Sequence, residues 1–365
     1  MRAAVTAIVC LLSVAWLAAP ALGQERCEPV AVTLIPVAPP GSPALVPLDV
    51  AAGSPALVPH TQNFDIGFEY IRPFWSNRGF HLSVPGATPS SPLLLGDAGD
   101  VQHDFDFVPK IRYEYEINDL GLGVQASGEL LSLNATLKRT LTTDAGTGVL
   151  DASSKLEIVV ANILEGTKSF LLKDLLKDCD CLEKWHVDES LVEVTIGTRY
   201  SSLHQKFEAT LTNGPNSGRL LSTQDFTGIG LTSSLSFQWP IGGSFVLYHG
   251  VRGSLLIGDN GRDSTFTLTV PGTAGANRQV TLGESKTDLL PVGELEVGIA
   301  WGMELGSPLL SPAAAAPKPL AWVKVGLAGQ IWGDAGMLSA AEVPPHLHDS
   351  NLYLVGFSVL VGFEH

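Results

Sequence analysis

The chain has 365 residues, of which 45% are hydrophobic and only 16% charged, with four cysteines and a formal net charge of −15. That acidic balance excludes nucleic acid or anionic lipid as the main partner, and so few cysteines exclude a disulfide-stapled scaffold. Beyond the N-terminus no run of about 18 apolar residues occurs, which excludes a helical membrane protein.

Met1 to Gly23 reads as a secretory signal peptide, with Arg2 as its positive end and Ala7–Ala18 as its apolar run. Ala21-Leu22-Gly23 supplies the small-residue pattern for cleavage after Gly23. Glu25 and Arg26 stand before Cys27 where a lipoprotein signal needs small residues. Residues 24–61 form a Pro-rich linker in which GSPALVP recurs at Gly41–Pro47 and Gly53–Pro59. Regularly placed Pro favours extended backbone, so the linker is either a periplasmic tether to cell wall or another envelope protein, or a plain spacer.

From residue 62 to 365 the pattern has period two, the mark of strands with one apolar face. The first predicted strand sets Phe64, Ile66, Phe68, Tyr70 and Phe74 against Asp65, Gly67 and Glu69. The second sets Phe105, Phe107, Ile111, Tyr113 and Tyr115 against Lys110, Arg112 and Glu114. The third sets Leu122, Val124, Ala126 and Leu130 against Gln125, Ser127 and Glu129; a weaker fourth sets Leu156, Ile158 and Val160 against Lys155 and Glu157. The fifth sets Val192, Val194, Ile196 and Tyr200 against Glu193, Gly197 and Arg199. Phe226–Trp239 and Phe245–Ile257 form the clearest hairpin, with apolar Leu231, Leu235, Leu247 and Leu255 opposite Gly, Ser, Thr and Arg252. Three more strands follow, over Glu294–Trp301, Trp322–Ile331 and Tyr353–Glu364.

About ten strands are expected, and up to twelve are admitted. The connections Trp75–His103, Lys138–Ser153, His204–Gln224, Asp259–Lys286 and Gly333–Asp349 are long and polar, and read as external loops. Ser307–Pro319 reads as a Pro/Ala spacer. TKSFLLKDLLKD, from Thr167, reads as a short amphipathic helix on the periplasmic rim, capped by Thr167.

The fold expected is an all-β, up-and-down, antiparallel transmembrane barrel. A sandwich would turn polar faces to water and fill them with Lys, Glu and Thr. Here those faces carry Gly, Ser and Ala with isolated charges, which fits a confined interior. Aromatics gather near strand ends on the apolar face, as girdles at the bilayer interfaces do.

The stretches FTGIGLTSSLSFQW, SFVLYHGVRGSLLIGD, LLPVGELEVGIAWGM and LYLVGFSVLVGFEH, together with IGTRYSSL at Ile196–Leu203, resemble the Legionella-type major outer-membrane protein family of pore-forming barrels, including relatives in planctomycete-like bacteria. The resemblance runs from Phe64 onward and is best after Val192. It implies an outer-membrane location and a pore or structural role, with barrel-assembly machinery and outer-membrane lipid as partners.

The inward face is expected to carry Asp65, Glu69, Glu114, Glu129, Glu157, Glu193, Glu294 and Glu296, with Lys110, Arg112, Arg199, Arg252 and Lys324. Two readings stand: a charged constriction that passes small solutes or ions with a cation preference, or an interior filled by paired charges. A surface adhesion protein that uses its loops is the alternative function, and an exported soluble β-protein a third. No cofactor is expected. His346, His348 and Asp349 form one short cluster without partner ligands at a metal-site spacing. His249 falls on an outward face. No motif unites a nucleophile, a His and an orienting group, so an enzyme is not expected. Cys179 and Cys181 flank one residue, a spacing awkward for a mutual disulfide, and either could pair with Cys27.

Overall fold

The computed structural model describes residues 60–75, 81–84, 94–97, 101–117, 122–143, 146–172, 190–242, 244–272, 277–304, 320–335 and 351–364. The signal peptide, residues 24–59 of the linker, Cys179, Cys181, the Pro/Ala spacer and the His346–Asp349 cluster lie outside the described residues, while the linker's last two residues, 60 and 61, begin the first strand.

The strands are β1 (His60–Trp75), β2 (His81–Val84), β3 (Leu94–Asp97), β4 (Asp106–Ile117), β5 (Leu122–Thr143), β6 (Gly146–Leu171), β7 (Leu191–Asn213), β8 (Asn216–Gly242), β9 (Phe245–Thr269), β10 (Arg278–Glu304), β11 (Leu320–Trp332) and β12 (Leu352–Glu364). Strands β1 and β4 to β12 close a barrel of ten antiparallel neighbours, with β1 paired to both β12 and β4. Strands β2 and β3 form a separate small hairpin beside β7 and β8.

The outer wall is apolar in a continuous band. Ile66 stands opposite Val361, Phe68 opposite Val359, Ile229 opposite Ile257 and Leu231 opposite Leu255, and all of these side chains but the half-buried Val359 are exposed. In water such a surface would drive aggregation; in lipid it is matched, and barrel closure leaves no strand edge unpaired there. Aromatic pairs mark the band's upper edge: Phe74 stacks on Tyr353 at 5.0 Å and Tyr70 on Phe105 at 5.1 Å.

Three of the connections expected as loops are strand. β5 and β6 remain paired to Thr143 and Gly146, β7 and β8 to Asn213 and Asn216, and β9 and β10 to Leu268 and Arg278. Lys138–Ser153, His204–Gln224 and most of Asp259–Lys286 are therefore β-hairpins that rise above the band. Gly214, at φ 59, supplies the positive φ that the tight turn after β7 requires. The cause is a swap of polarity within unbroken strands. Even-numbered residues of β8 point inward throughout: Thr232, Ser234 and Ser236 low down, then Phe226 and Leu220 higher up. Odd positions change from Ile229 and Leu231 to Asp225, Thr223 and Arg219. The upper wall faces water, so its greasy side turns in.

Two further expectations need correction. Thr167 caps no helix; it is buried in β6 opposite Thr195, and Thr167–Leu171 continues as strand against Leu191–Thr195. TKSFLL alternates at period two as well as it fits a helical stripe, and the available edge of β7 decides between them. In β6 the parity is inverted: Leu156, Ile158 and Val160 are buried inside, while Glu157 lies outside beside Lys155. A bulge between Ile163 and Gly166, with Leu164 at φ 53, puts two successive residues outside and so exchanges the faces.

Candidate functional site

The twelve charged residues Asp65, Glu69, Lys110, Arg112, Glu114, Glu129, Glu193, Arg199, Arg252, Glu294, Glu296 and Lys324 project into the barrel, each from the face opposite an exposed apolar row. They form linked clusters. Lys110 Nζ reaches Glu69 at 2.5 Å and Glu129 at 3.1 Å. Arg112 meets Glu114 at 3.0 Å, Glu193 at 3.8 Å and Asp65 at 3.9 Å. Arg199 donates to Glu294, whose other oxygen lies 3.7 Å from Arg252. Glu296 accepts from Tyr248 at 3.0 Å and from Ser358 at 2.6 Å. Lys324 lies over the Trp322 ring at 4.2 Å.

Several of these bonds cross the lumen and do not follow the wall. Arg112 of β4 reaches Glu193 of β7, Arg199 of β7 reaches Glu294 of β10, and Gln330 of β11 donates to Glu129 of β5 at 3.3 Å. Glu165, which fell outside the predicted strands, joins the belt: it accepts from Arg252 and, at 2.9 Å, from Gln125. The bulge in β6 brings it inside, and no alternation in the sequence announces it.

Above the belt lies an apolar ring. Ile71, Val108, Leu131, Ile158, Leu203, Phe226, Leu256, Val292, Trp332 and Leu354 are all buried in one cluster. Every barrel strand gives one of them. Leu203, Phe226, Leu256 and Trp332 retain at most 1% of their surface, so water does not reach the middle of the ring.

A polar layer covers the ring from outside. Gln205 donates to the Ala335 carbonyl and accepts from the Trp75 indole at 3.2 Å; Arg262 donates to the Asp334 carbonyl at 2.7 Å. The start of the β11–β12 connection is thus held in the barrel mouth. The end of the connection before β4 enters too. Val101 packs with Leu150, Phe207, Leu211 and Leu220, and His103 Nε2 lies 3.0 Å from Ser154 Oγ with its ring 5.4 Å from Trp75.

Burial holds the His103 imidazole neutral, pushing its pKa down from 6.5 to about 4 against the opposing charge of Asp104. The undocked segment takes up a proton near pH 6.5, while the docked one resists it. Docking is therefore at full strength above about pH 6.5 and weakens as the pH falls from there to about 4, by about 3 kcal/mol in all. Limited proteolysis of the connection should accelerate between pH 6 and about pH 4, and His103→Gln should remove that pH dependence.

His249 lies on the outer wall of β9, its ring 6.4 Å from Phe237. Among the described residues no group of three or more His, Cys, Asp or Glu is placed to hold a metal ion.

Residues 192–311 match the model of the family described as Legionella pneumophila major outer membrane protein precursor. No curated protein matches the sequence. Among solved structures, the outer membrane protease OmpT from Escherichia coli is 9% identical, with 84% of this chain and 96% of that chain covered and a TM-score of 0.37. Ail, the attachment invasion locus protein of Yersinia pestis, is 10% identical over 84% and 99%, with a TM-score of 0.22. A Pseudomonas aeruginosa FadL homologue is 8% identical over 84% and 90%, with a TM-score of 0.25. Likeness this distant carries no functional argument. The chain is an outer-membrane β-barrel protein whose residues 192–311 match the family of the Legionella pneumophila major outer membrane protein precursor.

Proposed function

We propose that this barrel is sealed and that it anchors a six-stranded sheet, β5 to β10, outside the membrane as a binding or structural surface. The observation that carries the reading is the apolar ring, to which every barrel strand contributes a buried side chain. Ions do not cross a dry apolar layer, and the belt beneath it is braced by bonds across the lumen. The projecting sheet is polar outside and packed inside, so it stands as a rigid wall and not as mobile loops. In this reading the signal peptide is cleaved after Gly23, assembly machinery inserts the barrel, and residues 24–61 tether it towards the cell wall.

A second reading is a narrow gated pore. The charged belt favours it, with its acidic excess over basic groups giving cation preference. It requires the ring and the two connections in the mouth to move aside.

Cysteine labelling tests the first reading on intact cells. Thr212→Cys, near the tip of β7, should react with a membrane-impermeant maleimide. Ser234→Cys, which faces inward on β8 below the ring, should not. Equally fast labelling of Ser234→Cys would mean an open path.

A further inference from the structure

The outer wall holds a constellation that the sealed barrel does not use. Where the apolar band ends, β7 and β8 place two pairs of residues directly opposite each other: Ser202 against Thr227, and His204 against Asp225. All four belong to outward positions. Tyr200, Ile229 and Ile257 lie just below on the same wall and are exposed to lipid. Just above come Lys206 and Thr223, opposite each other in the register. The four residues therefore sit at the depth of lipid head groups and ester carbonyls.

The chemistry of the four is complementary. Asp225 Oδ1 contacts His204 Nδ1, which fixes the ring and leaves Nε2 as the basic nitrogen. Ser202 precedes His204 by two residues on the same face, so their backbones are roughly 7 Å apart, a gap that a hydroxyl and an imidazole leaning along the strand can span. Thr227 Oγ1 lies 3.4 Å from Ser202 Oγ, beside any atom bonded to that oxygen. Glu157, opposite His204 on its other side, is engaged by Lys155 at 2.8 Å and does not displace Asp225.

We propose that Ser202, His204, Asp225 and Thr227 form an esterase site for carboxylic esters of membrane lipids. Ser202 Oγ attacks the ester carbonyl while its proton passes to His204 Nε2. The Thr227 hydroxyl donates to the developing oxyanion. The carbon–oxygen ester bond breaks, and His204 returns the proton to the departing alkoxide. Water then attacks the acyl-Ser202 ester, gives its proton to His204, and releases the fatty acid as Ser202 takes the proton back. Asp225 is a positioning residue; it holds the imidazole and touches no reacting atom.

The test uses the full chain folded into phosphatidylcholine vesicles, with fatty-acid release as the readout and heat-modifiable gel mobility as the check of fold. Release should fall on the order of 1,000-fold in Ser202→Ala and in His204→Ala, and about 100-fold in Thr227→Val. A fluorophosphonate probe should attach to Ser202 in the parent and fail to attach in His204→Ala. Release that persists in Ser202→Ala, or no release and no labelling in the folded parent, overturns the proposal. Cleavage of a short water-soluble ester without cleavage of the vesicle lipid overturns the lipid assignment. Should a variant fail to fold, mass-spectrometric mapping of the probe on the parent still decides whether Ser202 is a nucleophile.

Discussion

Replacing Glu294 by Gln should destabilise the folded barrel by about 3–5 kcal/mol, the range for breaking one partner out of a buried ion pair. The reason is what remains around Arg199. Its side chain is fully buried, and Glu294 is its only carboxylate among the described contacts. Without that charge it retains the Ser254 hydroxyl at 3.1 Å and the Trp332 ring at 5.8 Å, while its Nε has no partner even in the parent. Arg252 would lose a neighbouring carboxylate at the same time. The loss is read from urea unfolding in vesicles, followed by tryptophan fluorescence. Combining Glu294→Gln with Arg199→Met should restore most of the stability, since the uncompensated charge is then gone. Glu296→Gln should be milder, because Tyr248 and Ser358 are neutral donors and an amide oxygen can still accept from them.

Gly258→Val should prevent the chain from reaching its heat-modifiable folded form. Gly258 faces inward at the level of the apolar ring, opposite Gly228. A Cβ there would lie 2.1 Å from the Thr227 carbonyl oxygen and 2.4 Å from the Gly228 Cα. Both obstacles are backbone, so relief requires β8 and β9 to part, a loss above about 4 kcal/mol. Gly250→Ala, eight residues away on the same inner face of β9, supplies the contrast. Nothing lies within 4 Å of a Cβ at that position, and this variant should fold. The small residues on the inner face thus serve two ends: some leave room, and others allow strands to pinch together as the sheet curves shut.

Much of this was legible in the sequence, for identifiable reasons. Within the lipid band, polarity and parity agree on most strands. Ile229 and Leu231 must face hydrocarbon, which sends Arg252 and Glu294 inward. Where the strands rise out of the band, the solvent on the outer face changes from lipid to water. Leu220 and Phe226 then turn inside without any change of parity, and a reader following the greasy face sees the pattern dissolve into a loop. The apolar ring was hidden by this swap, and so was the Ser202–His204 pair, which straddles it. In β6 a single bulge exchanged the faces, sending Glu157 out and Glu165 in. Bulges carry no alternation signal of their own, so Glu165 could be found only from the register of both neighbouring strands.

The conductance of the folded parent protein in planar bilayers bears most directly on the seal. At neutral pH, with His103 neutral and both connections docked, the barrel should show no steady conductance above the bare membrane. Stable ohmic steps with cation preference, reduced by Glu294→Gln together with Glu296→Gln, would contradict the sealed barrel and establish the belt as the lining of an open pore.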